Sequence, residues 1–178
     1  MHHTLGTCLL TALGILLALI PAISTPAQNK SEVFEDPDGK YKLTLSPGWQ
    51  AVTSRDGLGR TQVEIVYNVR ENGLLRIRRI AVEPGTKVMD LAKREEQNLN
   101  FTQAGYAKSA IENFVVPGIT AALVSYDFTV NGRPAMGINY YLLVNETTAY
   151  LLRFTGARNT LGPIRNQTDA IARSFKAQ

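Results

Sequence analysis

Four arginines that could bind an acidic group lie close together in the sequence, on or beside one predicted hairpin. They are Arg70, Arg76, Arg78 and Arg79. Guanidinium groups two residues apart on a strand project from one face, where each can hold a carboxylate or phosphate through paired hydrogen bonds. This pattern predicts Arg76, Arg78 and Arg79 as binding residues. The alternative is an ordinary exposed face on which Arg78 pairs with Glu64 across the hairpin.

Few other residues are of a type that carries out catalysis. The only cysteine and histidines are Cys8, His2 and His3, and all three lie in an amino-terminal segment that we expect to be removed. Without them, histidine-activated nucleophiles and thiol redox chemistry have no residues to use. The sequence also lacks a Walker phosphate loop and a Gly-x-Ser-x-Gly motif. It therefore predicts a protein that is not an enzyme, with no catalytic residue, metal site or cofactor.

Residues 1–24 are predicted to be a signal peptide. They contain no Lys, Arg, Asp or Glu, and their apolar run over residues 8–20 is shorter than the about 20 residues that a membrane span needs. Ala22 and Ser24 are the small residues that a signal peptidase recognises before a cut after Ser24. We expect an extracytoplasmic protein, periplasmic or secreted. The alternative is an uncleaved membrane anchor, since the leader lacks the usual Lys or Arg.

The rest of the chain predicts a flexible lead-in over residues 25–33 and a single domain over residues 34–178. A chain of this size buries nearly 70 % of its unfolded surface, so it needs no disulfide bonds. Its net charge of +4 falls well short of the basic stripe that nucleic-acid-binding proteins carry. We therefore expect no nucleic-acid partner.

The only tryptophan follows a corner at the end of a predicted strand. Alternating apolar residues predict that strand over residues 41–45, and Pro47-Gly48 ends it. Trp49 comes directly after the corner, where its ring can cover the apolar face of the strand. The sequence predicts that Trp49 is buried and structural, rather than a contact for a ligand.

The arginine-rich hairpin is predicted to join strands over residues 62–69 and 74–82. A three-residue loop with Gly73 in the left-handed conformation keeps the apolar residues of both strands on one face, with Arg76 and Arg78 on the other. The expected cross-strand pairs are Tyr67 with Ile77 and Val69 with Leu75.

The second half of the domain alternates helical and strand periodicity. Helices are predicted over residues 87–101 and over the segment that carries Ile164, Thr168, Ile171 and Phe175. Strands are predicted over residues 110–115, 121–130, 134–144 and 148–156. Asn131-Gly132 predicts a two-residue turn between the two middle strands of this set, so both residues are assigned a structural role.

Both faces of this sheet are predicted to be apolar. A two-residue turn at Asn145-Glu146 would place two sets of large residues on opposite faces. One set is Val124, Tyr126, Phe128, Tyr141, Leu143, Tyr150, Leu152 and Phe154, and the other is Leu123, Met136, Ile138, Tyr140, Leu142 and Leu151. Because both faces need cover, the sequence predicts an α+β fold with helices on each side of the sheet.

The segment DPDGKYKLTLSPGW, the order of the elements and the final IARSF resemble the PsbP/Mog1-like superfamily over residues 34–176. The resemblance implies a three-layer α/β/α sandwich whose central antiparallel sheet has about six strands, and a structural role for Trp49. Its members include photosystem II extrinsic subunits, a regulator of a small nuclear GTPase and exported bacterial proteins without an assigned role. The exported branch is the most similar.

These observations lead to two hypotheses about function. The first is an exported, non-catalytic binding or assembly module of the cell envelope that contacts another envelope protein, through an exposed sheet edge or the arginine hairpin. The alternative is a carrier of a small ligand or a metal ion in a pocket between sheet and helix, or a protein like the PsbP subunits of photosystem II.

Overall fold

A computed structural model describes residues 30–55, 57 and 61–178 of the chain. The predicted signal peptide and the first part of the lead-in lie outside these residues. The strands are β1 (Glu32–Glu35), β2 (Tyr41–Leu45), β3 (Trp49–Arg55), β4 (Thr61–Tyr67), β5 (Leu74–Ala81), β6 (Ala107–Val116), β7 (Ile119–Val130), β8 (Arg133–Asn145), β9 (Thr148–Ala157) and β10 (Lys176–Ala177). The helices are α1 (Val88–Thr102), α2 (Arg158–Leu161) and α3 (Arg165–Arg173).

The strands form one large and one small antiparallel sheet. The large sheet has seven strands in the order β3-β4-β5-β9-β8-β7-β6, and the small sheet has the order β1-β2-β10. Helix α1 covers one face of the large sheet, while α2, α3 and the small sheet cover the other. The predicted α+β architecture is therefore confirmed, with seven central strands instead of about six. No helix within the described residues is long and apolar enough to cross a membrane.

Helix α1 lies on the large sheet through a narrow apolar stripe. Its buried residues recur at helical spacing and are Val88, Leu91, Ala92 and Leu99. They pack with side chains of the middle strands, including Val124 of β7 and Tyr141 of β8. We call this side of the sheet the α1 face.

On the opposite face, α3 packs against the sheet through one buried aliphatic pair and a polar contact. Ile171 and Ala172 are fully buried. The Tyr140 hydroxyl lies 2.7 Å from Oγ1 of Thr168 and donates to Oδ1 of Asp169 at 2.6 Å. Because these hydrogen bonds satisfy the Tyr140 hydroxyl, this face can bury it without leaving a donor unpaired.

The hairpin between β4 and β5 differs from the prediction in register. The structure pairs Ile65 with Leu75 and Val66 with Leu74, a shift of four residues that leaves residues 68–73 as a longer loop. Asn68, not Gly73, has the left-handed conformation, with φ of 55°. Because the register shifts by an even number of residues, Ile65 and Leu75 still point to the face of the sheet that was predicted for them. Val69 instead lies in the loop and is 52 % exposed.

The predicted faces of β9 are wrong because a bulge precedes the turn. Register shifts by one residue between Leu143 and Asn145, so Tyr141 pairs with Leu151 instead of Tyr150. One extra residue reverses which side chains of β9 point to each face. In contrast to the prediction, the face opposite α1 carries Tyr150, Leu152 and Phe154, and the α1 face carries Leu151.

Two further differences concern the start of the domain. Residues 32 and 33, assigned by the sequence to the lead-in, belong to β1, which pairs with β2. Strand β3 was not predicted, because after Trp49 all its residues are exposed and it has no buried alternation to detect. It forms one edge of the large sheet by pairing with β4.

Candidate functional site

A cleft of about 700 Å³ opens on the α1 face, beyond the carboxyl end of α1. Strands β5, β9, β8 and β7 supply its floor, and the 68–73 loop supplies one wall. Among the described residues, four arginines line it, against one glutamate, Glu71. They are Arg70, Arg76, Arg133 and Arg153. We call this feature the arginine cleft. Its volume lies within the usual range for small-molecule sites.

The four arginines differ in their acidic partners. Arg70 and Arg76 share one carboxylate, since their Nη2 atoms lie 3.0 Å and 3.6 Å from Oε1 of Glu64. Arg133 and Arg153 have no acidic partner among the described residues. The arginine cleft therefore contains two positive charges that the described part of the chain does not neutralise.

Arg153 lies in an unfavourable position unless an anion is nearby. It is directly opposite Arg76 on the neighbouring strand β5. Like charges facing each other across a sheet destabilise it. Arg153 is only partly exposed, and its Nε atom is buried without a hydrogen-bond partner in the described residues. A carboxylate or phosphate between the two guanidinium groups would neutralise the repulsion and accept hydrogen bonds.

Buried polar groups surround the inner end of the cleft. Asn139 pairs with Arg153 across β8 and β9, is fully buried, and donates from Nδ2 to the Tyr141 hydroxyl at 3.3 Å. Its Oδ1 has no partner in the described residues. Burial raises the pKa of Tyr126, which lines the cleft, while the charge of Arg153 acts in the opposite direction. Tyr126 is therefore a neutral phenol at physiological pH, as an ordinary tyrosine also is.

The floor of the cleft depends on Gly137. This residue lies opposite Tyr126 in the β7–β8 pair, and the phenol ring crosses directly over its Cα. A Cβ at position 137 would overlap Cζ and the hydroxyl oxygen of Tyr126. Since Tyr126 is 2 % exposed, its ring has little space into which it can move.

We expect Gly137→Ala to destabilise the protein by about 1 to 3 kcal/mol through overpacking. Urea unfolding followed by circular dichroism measures the change in the free energy of unfolding. The cost should fall when Tyr126→Leu is present, because the overlapping ring is then absent. An equal cost in both backgrounds would show that the ring is not the cause.

The 68–73 loop is held against the floor by backbone contacts. The amide of Ala157 donates to the Glu71 carbonyl at 2.9 Å, and the amide of Asn68 donates to the Gly48 carbonyl at 3.0 Å. The loop carbonyl of Asn72 passes so close to Gly156 that a Cβ there would overlap it. These contacts fix the backbone that carries Arg70 and Glu71 beside the cleft.

The three arginines predicted from the sequence do not share one surface. Arg76 lines the cleft. Arg78 points to the same face, but its Nη2 lies 2.5 Å from Oε2 of Glu95 on α1, so the expected pair with Glu64 is wrong. Arg79 points to the opposite face, where its Nη2 donates to Oγ1 of Thr148 at 3.1 Å.

Trp49, Asn131 and Gly132 were assigned structural roles from the sequence. The structure places Trp49 at the start of β3, 4 % exposed and within the core opposite α1, away from the cleft. Asn131 and Gly132, with φ of 50° and 75°, form the two-residue turn between Val130 and Arg133. Asn131 also lines the cleft at that end.

Two cleft residues, Arg133 and Arg153, were missed by sequence reasoning. A signal existed for Arg153, because it is the one charged residue within the apolar segment YLLRF of a strand that is otherwise buried. Arg133 follows the Asn131-Gly132 turn directly and is indistinguishable from any exposed turn residue. Within the described residues, no three Asp, Glu, His or Cys side chains are grouped to hold a metal ion.

Comparison with solved structures shows that the chain has the PsbP/Mog1 fold. LpqN, described as involved in cell envelope biogenesis of Mycobacterium tuberculosis, superposes with a TM-score of 0.62 at 9 % identity, covering 84 % of this chain and 91 % of that one. Cyanobacterial PsbP from Synechocystis gives 0.57 at 13 % identity, covering 91 % and 99 %. The Ran-binding protein Mog1p of Saccharomyces cerevisiae gives 0.54 at 8 % identity, covering 83 % and 95 %.

No protein-family model and no curated protein sequence matches the chain. At these identities, the structural likeness establishes the fold, and the chemistry of the site has to be argued from the residues of this chain.

Proposed function

We propose that this chain is a non-catalytic binding protein of the cell envelope that holds an organic anion in the arginine cleft. The observation that carries the proposal is Arg153. It faces another arginine across the sheet, has no acidic partner in the described residues and keeps a buried Nε without a hydrogen bond. A bound carboxylate or phosphate supplies the missing charge and the missing acceptor.

The envelope location is supported by two independent features. The first is the predicted signal peptide, which would direct the chain out of the cytoplasm. The second is the shared fold with LpqN, which is described as involved in cell envelope biogenesis. A single domain that begins with β1 and carries its own cleft suits a small exported binding module.

A small ligand fits the geometry better than a protein docked on the arginine hairpin. Docking would need Arg76, Arg78 and Arg79 on one surface, whereas Arg78 is bound by Glu95 and Arg79 lies on the other face of the sheet. The cleft instead gathers charge and apolar surface in one concave space. The small-ligand carrier that the sequence offered as its alternative is therefore preferred, with a cleft lined by strands and the 68–73 loop instead of a pocket between sheet and helix.

Binding of decanoate and decyl phosphate at low salt tests the proposal, with decyltrimethylammonium as the cationic control of equal chain length. We expect both anions to bind, measured by isothermal titration calorimetry, and the cation not to bind. Arg153→Gln should weaken anion binding by about 10- to 100-fold, because it removes charge-assisted hydrogen bonds. Affinity should also fall as salt rises.

Arg94→Gln is the matched control, since Arg94 is exposed on α1 and does not line the cleft. It should bind the anions as the unmodified protein does. The proposal is wrong if neither anion binds, or if Arg153→Gln and Arg94→Gln have the same affinity. If the preferred ligand is instead an acidic group of an envelope protein, the Arg153→Gln variant should fail to capture that protein in pull-down experiments. Loss of the protein with Arg78→Gln alone would instead favour binding through the arginine hairpin.

A further inference from the structure

We propose that the ligand of the arginine cleft is a linear dianion, with an acidic group at each end of a narrow apolar body. This inference rests on the proposed function and adds the chemical class of the ligand. Within the described residues, the two cleft arginines without an acidic partner are Arg153 and Arg133, and each would bind one end. Arg70 and Arg76 are partly neutralised by their shared Glu64 and contribute less.

These two arginines lie at opposite ends of the cleft. Arg153 is level with Asn139 in the β8–β9 pair, and Arg133 lies six residues before Asn139 on β8. At about 3.3 Å per residue, their Cα atoms are about 20 Å apart along the strand direction. A ligand that contacts both guanidinium groups without drawing the two side chains toward each other has to be elongated.

Both arginines nevertheless face the same space. On β9, Arg153 shares the α1 face with Thr155 and Ala157, and Ala157 pairs with Ala135 of β8. Arg133 has the same orientation as Ala135, because the two are separated by two residues on one strand. Both guanidinium-bearing side chains are therefore directed to the α1 face, and both line the cleft.

The floor between the two arginines is apolar. Leu74, Phe128 and Ala135 line this part, and each is less than a tenth exposed. Phe128 and Ala135 pair across β7 and β8, while Leu74 approaches from β5 through its pair with Thr155. An alkyl or aromatic chain laid on this floor would bury apolar surface, whereas a fully charged polymer would leave its middle charges unpaired.

The test uses linear dicarboxylates from decanedioate to hexadecanedioate, each compared with the monocarboxylate of equal chain length. Calorimetry at low salt should give an affinity maximum at one chain length, where the dicarboxylate binds at least about 10-fold more tightly than its monocarboxylate. Arg133→Gln should abolish this difference without changing monocarboxylate affinity. Arg153→Gln should weaken both ligands, and Arg94→Gln should change neither.

The outcomes separate the two proposals. If monocarboxylates bind through Arg153 but dicarboxylates gain nothing at any length, the ligand has one acidic group and the dianion inference is overturned while the proposed function stands. An Arg133→Gln variant that keeps the dicarboxylate advantage overturns it equally. If no carboxylate of either series binds, and decyl phosphate does not bind, the proposed function itself fails.

Discussion

Replacing Trp49 by alanine is expected to lower the free energy of unfolding by about 3 to 5 kcal/mol, as for other buried aromatic residues. The indole lies in the core between Tyr67, at 5.6 Å between ring centroids, and Phe154, at 5.3 Å in an edge-on arrangement. Its Cη2 edge also contacts Gly73, where a Cβ would lie 3.1 Å away. Alanine would leave a cavity beside the rings of Tyr67 and Phe154, which are held on two different strands and cannot collapse together.

Two variants control this experiment, in which urea unfolding is followed by circular dichroism. Val52→Ala, on the same strand but 44 % exposed, should change stability by only about 0.5 kcal/mol. Trp49→Phe should lose about 1 to 2 kcal/mol, because it keeps an aromatic ring and the Nε1 atom has no hydrogen-bond partner in the described residues. A loss below about 1 kcal/mol for Trp49→Ala would contradict a structural role.

Local signals in the sequence were sufficient for most of the fold. Helix α1 was predicted to within one residue at each end, because its apolar stripe keeps helical spacing although the charged Glu95 interrupts it. The Asn131-Gly132 turn was located because few other residue pairs tolerate positive φ at both positions. These features depend on residues that are neighbours in the chain, so one sequence contains the whole signal.

Pairing between strands was harder to predict, since it depends on contacts distant in sequence. The 68–73 loop is set by hydrogen bonds to Gly48 and Ala157, which lie in other parts of the chain. The bulge after Leu143 has no distinctive residue, yet it reverses the faces of β9. A single extra residue was therefore enough to misplace a whole strand of side chains.

That same bulge explains why the arginine cleft was not predicted. With the predicted register, Arg153 would lie on the face of the sheet opposite Tyr126. The observed register brings Arg153 level with Asn139 on the α1 face and opposite Arg76. The arginine cleft is therefore a product of strand registration, and the hairpin arginines visible in the sequence contribute only Arg70 and Arg76 to it.

Alkaline pH is expected to destabilise the protein through buried tyrosines of β7 and β8. Tyr126, Tyr140 and Tyr141 are at most 2 % exposed. Burial raises the pKa of all three, and raises that of Tyr141 to about 12. The hydrogen bond that the Tyr140 hydroxyl donates to Asp169 raises its pKa further. A phenolate could not donate this bond and would be repelled by the carboxylate.

The direction of the pH effect follows from proton binding. A tyrosine has a pKa of about 10 in the unfolded chain. Below about pH 10 the folded and unfolded states both keep the proton, so the free energy of unfolding is not reduced by these tyrosines. Between about pH 10 and pH 12 the unfolded state loses the Tyr141 proton while the folded state retains it. The free energy of unfolding then falls by about 1.4 kcal/mol per pH unit for each such tyrosine.

Comparison with Tyr141→Phe isolates one of these groups. The variant loses the hydroxyl that accepts from Asn139, so at about pH 8 it should be less stable than the unmodified protein by about 1 kcal/mol. At about pH 11 the difference in the free energy of unfolding should shift in favour of the variant by about 1.4 kcal/mol, because phenylalanine cannot ionise in the unfolded state. Urea titrations at both pH values, with tyrosinate absorbance recorded in parallel, measure this change. A stability difference that is the same at both pH values would mean that the Tyr141 proton is not linked to folding.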